Sequence, residues 1–199
     1  MFSRTTVSSI LFVVIALSRA PQSQGAPKMK PTPNATSHTE IAVFAGGCFW
    51  GMEDILAKQA GVLETSVGYT GGTTASPTYE AVKKGTTGHA EAVRVVFDPA
   101  RLSYENLLRL FFTMHDPTTP NRQGNDIGTQ YRSAIFAMTD AQREAALKIK
   151  KEFEGIKYWN KPIATEIMPA MPFTPAEEYH QDYLKKNPGG YTCHYVRKF

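Results

Sequence analysis

Cysteine is scarce in this chain: Cys48 and Cys193 are the only two among 199 residues. There is no Cys-x-x-Cys and no paired-histidine spacing, so the residues call for no metal and no resident cofactor. Tryptophan is as rare, with two. Acidic residues are missing altogether from Met1 to His38. The apolar run there, Ile10 to Leu17, is too short to span a bilayer as a helix. Long basic runs are absent too; lysines pair only as Lys83-Lys84, Lys150-Lys151 and Lys185-Lys186. A net charge of +4 and a pI near 9.0 therefore describe a solvated surface and no nucleic-acid partner. No internal repeat is visible. What is left is 42% hydrophobic and 20% charged, the makeup of one soluble globular domain with a real core.

The acid-free start has its own pattern. Arg4 precedes the apolar run, and the small residues Ser18, Ala20, Ser23, Gly25 and Ala26 follow it. That order describes a secretory signal over residues 1–25, cut near Ala20 or Gly25. The expected location is outside the cytoplasm, secreted or periplasmic. A presequence for mitochondrion or plastid and an uncleaved membrane anchor are the alternatives. Residues 26–39 read as a disordered linker, with Asn34-Ala35-Thr36 a glycosylation acceptor triplet. The folded domain is expected over 40–199. Export would put both cysteines in an oxidising compartment, where a structural disulfide is one reading.

Along the domain, Ile41-Ala42-Val43-Phe44 reads as a short buried strand and Ala45-Gly46-Gly47 as a tight turn. A helix begins near Met52, with Ile55, Leu56 and Gln59 at helical spacing. Val62 to Tyr69 is the next strand, followed by a short Tyr79 to Lys84 segment. Ala90 to Phe97 is a clear strand. Ser103 caps a helix in which Tyr104, Leu107, Leu108 and Phe111 recur. Thr118 to Thr129 is a long polar loop, too rich in Gly, Asn and Asp for regular structure. Tyr131 to Phe136 is a strand, and Thr139-x-x-Gln142 makes a capping box for another helix. Ile163 to Met168 is expected as a strand. Thr174-Pro175-x-Glu177 is expected to cap a last helix running to Lys186, before an irregular tail. The order is β-α-β-β-α-β: an α+β fold with a two-layer, ferredoxin-like split βαβ core and a mixed sheet.

Gly47-Cys48-Phe49-Trp50-Gly51 places Cys48 between strand and helix. Free N–H groups and the helix dipole there favour a thiolate, the form that attacks. A buried structural cysteine is the other reading. On Ala90 to Phe97 the pleat puts Glu91 with Val93, Val95 and Phe97. A carboxyl on that apolar face would stay protonated and act as a general acid; the alternative is a strand-end glutamate turned to solvent or paired with His89. Tyr69 and Tyr131 adjoin glycine-containing loops and are either hydrogen-bond donors to a polarised oxygen or core aromatics. Asp126 orients a neighbour or makes a turn. His180 lies on a helix surface.

These blocks resemble a family. Gly47 to Gly51, Gly68-Tyr69-Thr70-Gly71-Gly72, Gly88-His89-Ala90-Glu91-Ala92 and Gly124 to Ser133 are similar, in the same order, to peptide methionine sulfoxide reductase A. The likeness runs from about Ile41 to Cys193. It implies that Cys48 attacks the sulfur of a methionine sulfoxide, free or in oxidised proteins. It implies that Glu91 protonates the sulfoxide oxygen, that Tyr69 and Tyr131 hold it, and that Phe49 and Trp50 enclose the methyl group. Asp126 joins them in substrate binding. Cys48 becomes a sulfenic acid, Cys193 condenses with it, and a thioredoxin-like partner reduces the disulfide of a monomeric enzyme. Here Cys193 follows Gly190-Tyr191-Thr192, one residue later than the family often has it, and no third cysteine exists for a relay. The rival readings are a cysteine hydrolase with His89 or His180 as base and a secreted binding domain with an inert Cys48–Cys193 disulfide.

Overall fold

The computed structural model describes residues 38–199 apart from 157, together with Met1. The signal, the Asn34 triplet and nearly all of the linker expected from the sequence lie outside the described residues. Strand β1 (Glu40–Gly46) leads into helix α1 (Phe49–Ala57) and strand β2 (Val62–Thr70). A short helix α2 (Tyr79–Lys83), strand β3 (Ala90–Phe97) and helix α3 (Tyr104–Met114) follow. Strand β6 (Ser133–Ala137), helix α4 (Asp140–Gly155) and strand β7 (Glu166–Pro169) come after two short strands, β4 (Arg122–Gln123) and β5 (Asp126–Ile127). The strand β8 (Thr174–Pro175) and the one-turn helix α5 (Tyr183–Lys186) precede the tail.

The main sheet has the order β7-β6-β1-β3-β2-β8. Only β6 and β7 pair in parallel; the other neighbours are antiparallel, so the sheet is mixed and the class α+β. The pleat divides the side chains. Ala42, Phe44, Val93, Val95, Phe97 and Ile135 enter the larger core with Phe49, Met52 and Leu56 of α1, Leu107, Leu108 and Phe111 of α3, and Ile149 and Phe153 of α4. Val43, Ala45, Ala90, Ala92, Ala134 and Phe136 face the other way, under Met168, Met171 and Phe173. Small residues on that second face let coil, rather than helix, cover the sheet.

Local signals account for the helix starts. Thr78, Ser103 and Thr139 each sit at an N-cap with an extended backbone and accept a hydrogen bond from the N–H three residues on. Gln142 returns its Oε1 to the Met138 N–H at 3.1 Å, one residue earlier than a strict box would use.

Four expectations are corrected. The loop over Thr118 to Thr129 contains the β4–β5 hairpin, and a 3-10 turn (Thr129–Tyr131) follows it. The next strand therefore starts at Ser133 rather than Tyr131, and the one expected from Ile163 starts at Glu166. The long last helix is not there. Thr174 and Pro175 pair with Tyr69 and Gly68, which takes them out of a cap. Gln181 holds both backbone groups of Val67 with its side chain, and Asp182 adopts a left-handed φ of 52°. Tertiary bonds win over local helix propensity here.

Candidate active site

Cys48 is the N-cap residue of α1, delivered by the turn after β1. That turn needs glycine. Gly47 has φ 109°, and a Cβ there would lie 2.5 Å from Gln123 Cγ. The thiol is 6% exposed. Burial pushes its pKa well above the ordinary value, and the Glu91 carboxyl adds to the rise; the Trp50 N–H pulls the other way. The expectation of a resting thiolate is thus corrected. The first helical N–H, that of Phe49, is taken by Glu91 Oε2 at 3.1 Å, so the helix end is shared between a carboxyl and a buried sulfur.

Glu91 is 2% exposed, on the face the pleat assigns it. Burial raises its pKa to about 8; the Phe49 N–H opposes the rise and Asp126 adds a little to it. At neutral pH it is mostly a neutral acid and can give a proton. Tyr131 is partly buried, and its pKa is raised by burial first, then by Glu91, Asp126, Tyr79 and Cys48. Tyr69 is fully buried, and its one hydroxyl proton goes to Glu177 Oε2 at 2.8 Å. Tyr79 went unnoticed in the sequence. Burial, then Glu91 and Cys48, push its hydroxyl up to about 12, and Glu177 Oε1 accepts its backbone N–H at 2.9 Å. The available signal was its place just after the Thr78 cap, at the end of a polar loop.

Phe49 is fully buried and Trp50 partly so. The indole stacks on Tyr183 with centroids 3.8 Å apart and donates from Nε1 to His180 Nδ1 at 3.1 Å. His180 is therefore not a surface residue; it is 1% exposed, packed among Phe49, Trp50 and Tyr79. His89 is committed as well, accepting from the Gly72 N–H at Nδ1 and donating from Nε2 to the Thr74 carbonyl at 2.9 Å. Neither histidine is placed as a base for Cys48, so the hydrolase reading finds no support in the geometry.

The tail comes back across the site. Cys193 and Cys48 are both free thiols, 193 − 48 = 145 residues apart in sequence, yet near enough in the fold that Cys193 adds to the rise of the Cys48 thiol. Asp126 Oδ2 lies 3.4 Å from Cys193 Sγ and accepts the Tyr191 hydroxyl at 3.0 Å. Burial, then Asp126, push the Cys193 thiol up to about 12. His194 also escaped notice, although its place directly after the second cysteine was a signal. Among the described residues no cluster of His, Cys, Asp and Glu is arranged to hold a metal.

Two thiols brought together beside a protonated carboxyl define the class: a protein built for thiol–disulfide redox chemistry. The family model for peptide methionine sulfoxide reductase matches residues 40–199, and the chain belongs to that family. It is 51% identical over 163 residues to the peptide methionine sulfoxide reductase MsrA of Pseudomonas fluorescens, covering 82% of this chain and 76% of that one. The reduced form of Mxr1 from Saccharomyces cerevisiae superposes with a TM-score of 0.76 at 42% identity, covering 80% of this chain and 93% of the yeast one. A second Mxr1 structure, in complex with Trx2, gives a TM-score of 0.56 at 27% identity, over 85% and 97% of the two chains.

Proposed function

We propose that this chain reduces methionine S-sulfoxide, free or in proteins, to methionine, and is recycled by a thioredoxin-like reductant. The observation that carries the reading is Glu91, held protonated by burial against the helix turn that presents Cys48. The family membership and the yeast relative solved with Trx2 support the reaction and the partner.

Cys48 Sγ attacks the sulfoxide sulfur, and Glu91 gives its proton to the sulfoxide oxygen. The S–O bond of the substrate breaks, the oxygen passes to Cys48 as a sulfenic acid, and methionine leaves reduced. The Cys48 proton makes good the one Glu91 gave. Because the resting thiol is protonated, this exchange belongs to substrate docking. The hydroxyls of Tyr131 and Tyr79 both feel Glu91 and Cys48, and they are the proposed donors to the oxygen. Tyr69, expected in that role, has its proton committed to Glu177. Phe49 and Trp50 supply the apolar wall for the methyl group, and Asp126 steadies Cys193 and Tyr191 beside it. Cys193 then resolves the sulfenic acid as a disulfide.

The sheet order β6-β1-β3-β2, with α1 and α3 on one face, supports the finer reading of the core as a ferredoxin-like split βαβ layer. The leader over residues 1–25, the linker to 39 and an exported location are proposed on the acid-free, apolar start alone. Sequencing the mature N-terminus and fractionating the cell tests them; recovery from a mitochondrial matrix or plastid contradicts export.

Turnover of the two sulfoxide epimers with dithiothreitol tests the function. The S epimer is consumed and the R epimer left. Inactivity towards both sinks the proposal.

A further inference from the structure

His194 directly follows Cys193, is buried, and has both ring nitrogens assigned. Nε2 lies 2.8 Å from the Gly46 carbonyl, which can only accept, so Nε2 carries the proton. Nδ1 is then a lone pair, 3.5 Å from Cys193 Sγ. One imidazole thus ties the turn that carries Cys48 to the sulfur that must attack it. Burial pushes His194 down to about 4 despite the Gly46 bond, so the ring is neutral and the lone pair available at working pH.

Asp126 touches the same sulfur but is differently placed. Its Oδ2 accepts the Tyr191 hydroxyl and, at 3.4 Å, the resting Cys193 thiol, so it holds the sulfur in place while His194 Nδ1 is the neutral lone pair beside it. A carboxylate there opposes a bare thiolate on Cys193 and favours an imidazolium on His194. Its charge therefore keeps the proton on sulfur until the attack begins and then stabilises the imidazolium that receives it.

We propose that His194 is the general base of the resolving half-reaction, taking the Cys193 proton as Cys193 Sγ attacks the Cys48 sulfenic sulfur, with Asp126 as the counter-charge. The proposal rests on the reaction proposed above. As the S–S bond forms, the S–O bond of the sulfenic acid breaks. The Cys193 sulfur is oxidised and the Cys48 sulfur reduced. The departing hydroxide takes the proton held on His194 and leaves as water.

The test follows disulfide formation by rapid quench and thiol counting after one equivalent of methionine S-sulfoxide, against methionine release in the same samples, across pH. His194→Gln keeps an amide donor for Gly46 but has no base. It should slow disulfide formation about a hundredfold at pH 7 and methionine release by less than about tenfold. Its disulfide rate should climb about tenfold per pH unit towards the thiol's own ionisation, where the wild type is flat. The other titratable and charged groups around the pair are Asp126 of the β4–β5 hairpin, Tyr191 and Arg197 of the tail, Glu91 and Cys48 of the site, and His115 after α3. Asp126→Asn should slow the step yet keep the flat profile. A wild-type disulfide rate in His194→Gln overturns the proposal, as does a slow rate that ignores pH. A pH-climbing profile in Asp126→Asn alone would make the carboxylate the base and overturns it too. If the wild type releases no methionine, the underlying reaction fails, and the proposal with it.

Discussion

Glu91 shows how far burial alone can set a residue's chemistry. Its folded pKa of about 8 stands above the ordinary 4.5, so the native state binds the proton more tightly than the unfolded chain. The stability linked to this group is fully present below about pH 4.5 and is lost as pH rises through about 8. Glu53, raised by burial to about 7 at its bonds to Thr65 and Asp182, follows the same sign, so only a difference between variants isolates Glu91. Glu91→Gln should gain stability relative to the wild type from pH 5 to pH 9, read by denaturant melts at each pH. The same substitution should slow single-turnover methionine release about a hundredfold at pH 7. The wild-type rate falls above about pH 8 as the acid ionises, and the variant should lack that fall. Equal release rates for the two proteins would remove Glu91 as the acid. Pleat arithmetic made this residue legible, because strand alternation is local. The protonated state of Cys48 was not legible, since the burial that raises it, and after that the Glu91 carboxyl, come only with the fold. Nor was the difference between Tyr69 and Tyr79, which depends on a carboxylate 108 residues from Tyr69.

At the scale of elements, caps and pleats were readable where one segment holds all the parts. Ser103 and Thr139 start their helices as the spacing says, and β3 spans the residues its alternation marks. The segment after Thr174 looked equally regular. Its cap residues are spent on β2, and its carboxylate, Glu177, on Tyr69 and Tyr79. Long-range pairing left no mark in the local pattern. The turn between β1 and α1 is the element on which the site depends. Gly47→Ala forces a side chain into a left-handed backbone and against Gln123. A loss of about 2 kcal/mol or more of stability is expected. Turnover should drop further than stability explains, because Cys48 and the Gly46 carbonyl move with the turn. A chemical melt and a kcat/KM measurement check this, and an unchanged kcat/KM would show the turn to be tolerant.

For the whole molecule, the decisive feature is the tail laid over the first turn of α1. His194 reaches the Gly46 carbonyl, Arg197 N donates to the Thr113 carbonyl at 2.9 Å, and Cys193 packs at Gly124. A Cβ at Gly51 would strike Thr192 Oγ1, so helix and tail are in close contact. The second cysteine is docked at Asp126, His194 and Gly124 before the reaction begins. Sequence order shows that the two cysteines exist; only the fold shows that they meet. Cys193→Ser should therefore complete one turnover and stop with thioredoxin, while small thiols restore part of the cycling. The most direct measurement treats that variant with one equivalent of methionine S-sulfoxide and weighs the intact protein and its peptides. One methionine should be released per chain, with a single oxygen gained on the peptide bearing Cys48. Methionine released without that oxygen, or the oxygen found on another residue, would contradict Cys48 as the atom that takes it.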